Sequence, residues 1–589
     1  AASAGMAGDE TMSRDALWVS SMQESLEGSC LAERLRHRAD TIYLLVMAGR
    51  IIAMQSGFAM LEAAFVRPMN AANIMMKNLM DMFLGCVVFY LFGYQLAFGE
   101  QVASMEEKGT DWALWFLQFS YATTAATIDS GALAGRVSFV PYVVLSAVMT
   151  GLIYPTVVQW IWGGGWVQNM GFLDFAGGVV VHLVGAVSAL VCICVCGPRI
   201  GRFPEYRTWR RGWRVICVER NTDEYYRGPQ TEVERRVFQQ VSSIHNPVQA
   251  LFGVFLLLVG FLAFNPASTF STTDSADLVA ARASATTLLM TAGAAVTSFP
   301  VALCRRRSTV ITIPEFATMT VAGMVASCGC CNVVPPWLSM PIGVVAAILA
   351  DLTQHLLNRM QLDDVVGAVA AHGPPGAWGV LCVPIFAAPH CQSDLRGLAF
   401  GGGSEAWELL GVQVAGVLAT AAFASVSTYI TVIAIDLLVG FRSNRAIELI
   451  GHDYAEHAYE DGSVTTDPYK ATVMKHSPVR DCVKERIIKT SRSSSNGNAS
   501  DEVPELTEPP AAGAGSSEAA RVERLEREVR SLREDVRLMS TMLYRGSVNN
   551  SVFSSTSERA REASAPREAS PAPGSTSGAG AENGMEGIR

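Results

Sequence analysis

The sequence predicts an all-α membrane protein that crosses the bilayer about eleven times, arranged as an inverted repeat of five plus five spans with one further helix and a cytoplasmic coiled-coil tail. Three observations carry this. Half of the 589 residues are hydrophobic and only 17% are charged, which is too apolar for a soluble chain of this size. Apolar runs long enough to span lipid recur at 40–66, 75–98, 113–134, 137–163, 171–197, 248–268, 277–303, 309–331, 335–358, 364–388 and 405–440. The stretch Asp174-Phe-Ala-Gly-Gly-Val-Val-Val-His182 returns as Asp364-Val-Val-Gly-Ala-Val-Ala-Ala-His372, each time with an acid opening a small-residue run and a histidine eight positions on.

Residues 1–39 are polar and mixed in charge, with no apolar core of the signal-peptide kind, and form the expected N-terminal segment. The membrane domain follows at 40–440, interrupted by a charged insertion at 198–247 that includes Trp209-Arg210-Arg211-Gly-Trp-Arg214. That insertion either rests on the anionic inner leaflet or is a solvated loop. Arg67, Lys77, Arg136, the insertion, Arg305-Arg306-Arg307, Arg359, Arg442 and Arg445 fall in connections on one side, whereas Glu100, Glu106, Glu107, Asp111, Asp274 and Asp277 mark the other. The excess of basic residues places the C-terminus in the cytoplasm and the N-terminus outside.

Runs such as Ser130-Gly131-Ala132-Leu133-Ala134-Gly135 suit close helix packing. Arg50, Glu62, Asp81, Glu315 and Asp351 lie inside spans and are expected to be paired within the bundle. On a helix, the spacing of Cys192, Cys194 and Cys196 does not gather them on one metal. Cys328, Cys330 and Cys331 are closer together, as a buried apolar cluster, a disulfide or a metal site.

Beyond a cytoplasmic segment at 441–460, residues 461–515 and 546–589 are rich in Ser, Gly, Pro, Ala and charge and are expected to lack structure. Between them, at 516–545, Val522, Leu525, Val529, Leu532, Val536, Met539 and Leu543 alternate spacings of three and four, the seam of a coiled coil. This helix joins subunits of one assembly, links separate assemblies, or offers a surface for a cytoplasmic partner. The net charge of −9, much of it in ends and loops, gives no support for nucleic-acid binding.

A histidine on an apolar helix has two readings, a packed hydrogen-bonded residue or a functional group. The repeated spacing favours the second for His182 and His372, as partners lining one passage. Asp174 and Asp364 stand where a helix N-cap belongs, and capping alone would account for them.

The chain from about 40 to 460 resembles the ammonium transporter superfamily (Amt/Mep/Rh), in its Amt form. The resemblance rests on Gly57-Phe-Ala-Met-Leu-Glu62-Ala through Arg67-Pro-Met-Asn70, Asn78-Leu-Met-Asp81, Ile161-Trp162-Gly-Gly-Gly-Trp166, Asp174 to His182, Gly197-Pro-Arg-Ile-Gly-Arg-Phe203, Phe264-Asn-Pro-Ala-Ser268 and Gly451-His-Asp453-Tyr-Ala-Glu-His457. It implies a homotrimer with a pore in each subunit, seated in a bilayer, most often the plasma membrane. It also implies ammonium and ammonia as substrates, with no cofactor, no metal and no enzymatic step.

By the resemblance, Trp162 and Ser268 with Tyr121 recruit the cation, Asp174 supports that site, Tyr121 and Phe264 form a gate, and His182 and His372 line the pore and relay protons. Three departures stand out. Tyr121 replaces a gate phenylalanine, Phe261 stands where relatives often have tryptophan, and Pro374-Pro375 follows the second histidine with the expectation that its ring is aimed differently. Two other readings remain, an Rh-like channel for neutral ammonia and an ammonium sensor that signals through residues 461–589.

Overall fold

A computed structural model describes residues 14–99, 109–203, 235, 238–241, 244–273, 275–307, 309–391 and 395–457. The expected coiled coil at 516–545, its flanking segments and the tryptophan-rich part of the insertion lie outside these residues. The described part is helical, and its isolated β-bridge pairs Val137 with Arg442 in antiparallel sense.

The helices are α1 (Arg14–Ile52), α2 (Met54–Phe65), α3 (Ala71–Val88), α4 (Tyr94–Phe98), α5 (Gly109–Leu133), α6 (Phe139–Val148), α7 (Tyr154–Ile161), α8 (Trp166–Asn169) and α9 (Val184–Cys196). They continue as α10 (Pro247–Ala267), α11 (Ala276–Arg306), α12 (Ile313–Cys330), α13 (Pro336–Arg359), α14 (Ala368–Phe386), α15 (Gly403–Val439), α16 (Arg445–Ile450) and α17 (His452–His457). Wide π turns at Phe89–Gly93 and Met149–Ile153 join α3 to α4 and α6 to α7, and a third at Gly178–Leu183 leads into α9. Each predicted apolar run therefore coincides with helix.

Among the described residues nine segments are long and apolar enough to cross a membrane. The other two predicted spans, α5 and α14, are helices of 25 and 19 residues. Asp129 and several threonines in one, and His372 with three prolines in the other, make them more polar. The first helix differs from expectation: it begins at Arg14, well before the apolar run. Residues 14–39 contain no proline and are rich in leucine, glutamate, arginine and alanine, so helix propensity carries the element past the hydrophobic boundary.

A girdle of exposed apolar side chains, including Phe83, Phe92, Phe255, Val296, Leu437 and Leu438, surrounds the bundle. Such a surface needs lipid against it. Inside, α12 packs closely on α11, α13 and α14, and α14 in turn packs on α9. Glycine makes this possible. A Cβ on Gly178 would lie 3.0 Å from the Gly376 carbonyl oxygen and 3.2 Å from the Gly329 amide. Only backbone fits there, so the turn before α9 is pressed directly against α14 and α12.

Pairing of the span charges follows expectation in four of five cases. Glu62 accepts from Asn78 and Ser130, and Asp81 accepts from Thr127, Tyr142 and Ser146. Arg305 reaches both Glu315 and Asp351 at 2.7 Å. Arg50 instead is exposed on the bundle surface.

Candidate functional site

Two local structures of one design deliver the histidines. In the first, the Asp174 carboxylate accepts from the amides of Gly177 (3.0 Å), Gly178 (2.8 Å), Val179 (2.8 Å) and Val180 (3.0 Å). In the second, Asp364 accepts from Ala368 (2.9 Å), Val369 (2.9 Å) and Ala370 (3.3 Å). A helix start buried in lipid has no water for its free amides, so a carboxylate is the efficient cap. Gly177 at φ 91° and Gly367 at φ 75° make the turn that folds each chain back under its cap. One such turn projects His182, the other His372.

The rings meet. Nδ1 of His372 lies 3.1 Å from Nδ1 of His182, with centroids 5.1 Å apart and planes inclined by 29°. Both are buried, at 0% and 4% exposure. Phe261 stacks on His182 at 5.4 Å and Phe264 lies at 5.6 Å, while Phe58 stands 6.2 Å from His372. The paired prolines do not turn His372 away: α14 runs through Pro374 and Pro375, with the ring still against its partner. What the prolines remove is two amide donors, which would otherwise bond the carbonyls of Ala370 and Ala371.

On the acid-rich side of the pair, the Tyr121 and Phe264 rings pack edge to face at 4.5 Å, both fully buried. The Tyr121 hydroxyl donates to the Phe264 carbonyl at 3.1 Å and lies 3.1 Å from Ser268 Oγ. Trp162 sits 6.1 Å from Tyr121, partly exposed, and its indole donates to the Asp174 carbonyl oxygen at 2.8 Å. Tyr121 thus brings a hydroxyl to the place where an indole face and a serine converge. Contacts link Trp162 to Tyr121, Tyr121 to Phe264 and Ser268, Phe264 to His182 and His182 to His372, with the Asp174 carbonyl tied to Trp162.

Two neighbours escaped the sequence reading. Phe261, which stands where relatives often have tryptophan, is the ring stacked on His182. Cys328 Sγ lies 3.3 Å from His182 Nε2 and 3.5 Å from the Met324 carbonyl. Cys328, Cys330 and Cys331 are free thiols, all buried, and no metal-holding group occurs among the described residues. The helical register that points Cys328 at the histidine is visible only once α12 is docked.

At the arginine-rich end, Asp363 joins Arg136 (2.9 Å), Arg199 (2.8 Å) and Arg202 (3.3 Å). Burial alone would raise its pKa, but Arg199 and Arg136 outweigh that and hold the carboxyl well below the usual range. The segment after α15 is clamped to the same end. Arg442 pairs with Glu448 at 2.7 Å, Asp453 accepts from the Ala72 and Asn73 amides at the start of α3, and Glu456 accepts from the Phe139 amide at the start of α6. His452 is buried against Asn70 and Ser443. Burial lowers its pKa well below the ordinary value, and Lys77 and Arg67 lower it further.

Fold and site together define a polytopic helical membrane protein with a buried aromatic and imidazole line through its bundle. Residues 42–215 and 226–461 match the sequence profile of the Ammonium Transporter Family, and the chain belongs to that family. It is 33% identical over 447 residues to ammonium transporter Amt2 of Archaeoglobus fulgidus, covering 71% of this chain and 87% of that one. Its structure is similar to that of a protein described as a sensor Amt protein, with TM-score 0.60 and 26% identity over 72% of this chain and 99% of the other. Mep2 of Candida albicans shares the fold, with TM-score 0.55 and 23% identity over 68% and 85%. The protein is an ammonium transporter of the membrane.

Proposed function

We propose that transport proceeds by splitting the ion, with ammonia crossing the apolar line and His182 and His372 passing its proton. The observation that carries this reading is the 3.1 Å Nδ1 to Nδ1 contact between two buried imidazoles. Stripping an ammonium-sized ion of water costs up to about 20 kcal/mol in the idealised low-dielectric limit, far more than a dry pore offsets. Neutral ammonia avoids that cost.

The proton needs its own carrier. Two neutral rings joined through Nδ1 share one proton, so one ring donates and the other accepts, and their Nε2 atoms are oppositely occupied. A proton arriving at one Nε2 pushes the shared proton across and releases another at the far Nε2. Potassium has no proton to give and is left outside.

Recruitment falls to Trp162, whose ring face attracts a cation, and to Ser268 and Tyr121, whose hydroxyls accept N–H bonds. Asp174 supports them from beneath, with its carboxylate turned to backbone amides and its carbonyl holding the indole. Tyr121 and Phe264 close the way to the histidines. In this reading the chain is a homotrimer of the plasma membrane with a pore in each subunit, its arginine-rich end in the cytoplasm.

The test is ammonium-evoked current in voltage-clamped cells. Replacing His182 or His372 with alanine is expected to lower the current by at least about a hundredfold, the scale of a lost proton-transfer group. Undiminished, ammonium-selective current in both variants would overturn the relay. Absence of current in the parent chain, with ammonia flux intact, would favour a neutral ammonia channel, against which Trp162 argues.

A second reading, an ammonium sensor, draws on the likeness to the sensor Amt protein and on the length of the tail at 461–589. Deleting 461–589 separates the two. Transport that persists while an ammonium-dependent cellular response is lost would favour sensing.

A further inference from the structure

The relay as described releases a proton at His372 Nε2, on the inner side of the pair, and names no group to receive it. The surroundings on that side are unlike those of His182. A small cavity, with about 20 Å³ of room for water centres, is lined by His372, Glu62, Thr127 and Thr318 among apolar residues. That is space for about one water. A larger cavity of about 240 Å³ adjoins it, and Thr318, Val366 and Gly367 line both. The larger one is edged by Arg199, Arg202 and Arg305, so it lies toward the arginine-rich end.

Glu62 lines the small cavity, which shares the wall of Thr318, Val366 and Gly367 with the larger one. The residue is 1% exposed, and the hydrogen bonds it receives from Asn78 (3.0 Å) and Ser130 both fall on Oε2. Its Oε1 is turned to the wall opposite, 3.4 Å from where a Cβ on Gly131 would sit, and that same Cβ would lie 2.6 Å from Val366. Glycine at 131 thus keeps open the strip between the carboxylate and Val366. Asn78 and Ser130 account for one carboxylate oxygen only.

We propose that Glu62 is the inner proton acceptor of the transport cycle, taking the proton from His372 through water in the small cavity and returning it to ammonia there, before the ion passes to the larger one. This rests on the relay reading. In the first step the N–H bond at His372 Nε2 breaks, the intervening water gains one proton and loses another, and an O–H bond forms on the Glu62 carboxylate. In the second that O–H bond breaks and the fourth N–H bond of ammonium forms, leaving the carboxylate as it began. Nothing else is consumed.

The experiment compares E62Q and E62D with the parent in voltage-clamped cells, with the amount at the membrane measured for each. The amide of E62Q keeps the shape and an acceptor for Asn78 but cannot cycle a proton. Its maximal ammonium current is expected to fall at least about tenfold with little change in half-saturating concentration, because recruitment lies at the other mouth. E62D, a carboxylate set back by one methylene, is expected to recover part of the current with an enlarged solvent isotope effect.

E62Q current within about twofold of the parent, at equal amounts in the membrane, would overturn the proposal. So would equal losses in E62Q and E62D with an unchanged isotope effect, which is what a purely structural carboxylate predicts. If E62Q does not reach the membrane, the isotope effect in E62D decides. Variants H182A and H372A run alongside: if they also conduct fully, the relay reading fails, whereas full current in E62Q alone removes only the role of Glu62.

Discussion

The segments Phe172-Leu173-Asp174 and Leu362-Asp363-Asp364 do the same work at opposite ends of the bundle, and they differ in the middle residue. Leu173 is 42% exposed, its backbone held by the side chain of Gln413. Asp363 is buried under three guanidiniums. The caps beside them are alike, yet one histidine ends among Phe261, Phe264 and Cys328 while the other faces a cavity holding Glu62 and two threonines. Equal spacing in sequence placed both rings; unequal neighbours separate a dry outer face from a wettable inner one.

The largest expected effect comes from breaking the stiffer end. Asp363→Ala leaves three buried or half-buried arginines without their shared partner and should destabilise the fold by about 3–5 kcal/mol, the usual consequence of breaking a buried pair. Leu173→Ala should cost under about 2 kcal/mol for a partly exposed leucine. Thermal unfolding in detergent compares them, and equal shifts would show that the ion cluster does not anchor the inner mouth.

Next come the caps themselves. Asp174→Ala and Asp364→Ala should each cost about 2 kcal/mol, the upper range for a lost N-cap, with Asp174 the costlier because four amides depend on it rather than three. A cap loss that left the melting temperature unchanged in either variant would break the equivalence of the halves.

The pH response sharpens the contrast at the arginine-rich end. Because His452 is held neutral with its pKa below the ordinary value, the undocked segment binds more protons than the docked one once pH falls below about 6.5. Docking is then fully present above that value and weakens as pH falls toward the lowered one. Asp363 behaves as a depressed carboxylate: its contribution persists above the ordinary carboxylate range and is lost only as pH falls through its lowered value. Protection against hydrogen exchange at 441–457, taken relative to the intrinsic rate at each pH, should therefore fall below about pH 6.5 while that around 360–364 holds. Loss of protection in both together would contradict the assignment.

The smallest effect is expected at Cys328. Serine keeps a donor and acceptor beside His182 Nε2, so Cys328→Ser should retain ammonium current within about threefold. A loss as deep as that of His182→Ala would make the thiol part of the relay.

Much of this architecture was legible beforehand because lipid imposes strong rules. A helix must be long and apolar to cross, so the runs marked the spans, and the repeated acid-to-histidine spacing marked the residues that meet. The start of α1 was misplaced, because helix propensity continued where hydropathy stopped. The contacts of Phe261 and Cys328 with His182 were not legible, since a side chain on α10 or α12 carries no local sign of which neighbour it will touch. Glu62 was noticed only as a buried acid in need of a partner.

Period, length and capping chemistry are local, and on these the amino-acid order alone decided the apolar spans, the acids opening two of them at Asp174 and Asp364, and the presence of a histidine inside each. Which nitrogen of each ring faces which atom, how three arginines come to share Asp363, and that Glu62 shares a cavity with His372 were decided only when distant helices packed. Contacts between residues far apart in the chain depend on the rotation and depth at which each helix seats, and in this bundle backbone meeting backbone at Gly178, Gly329 and Gly376 sets both.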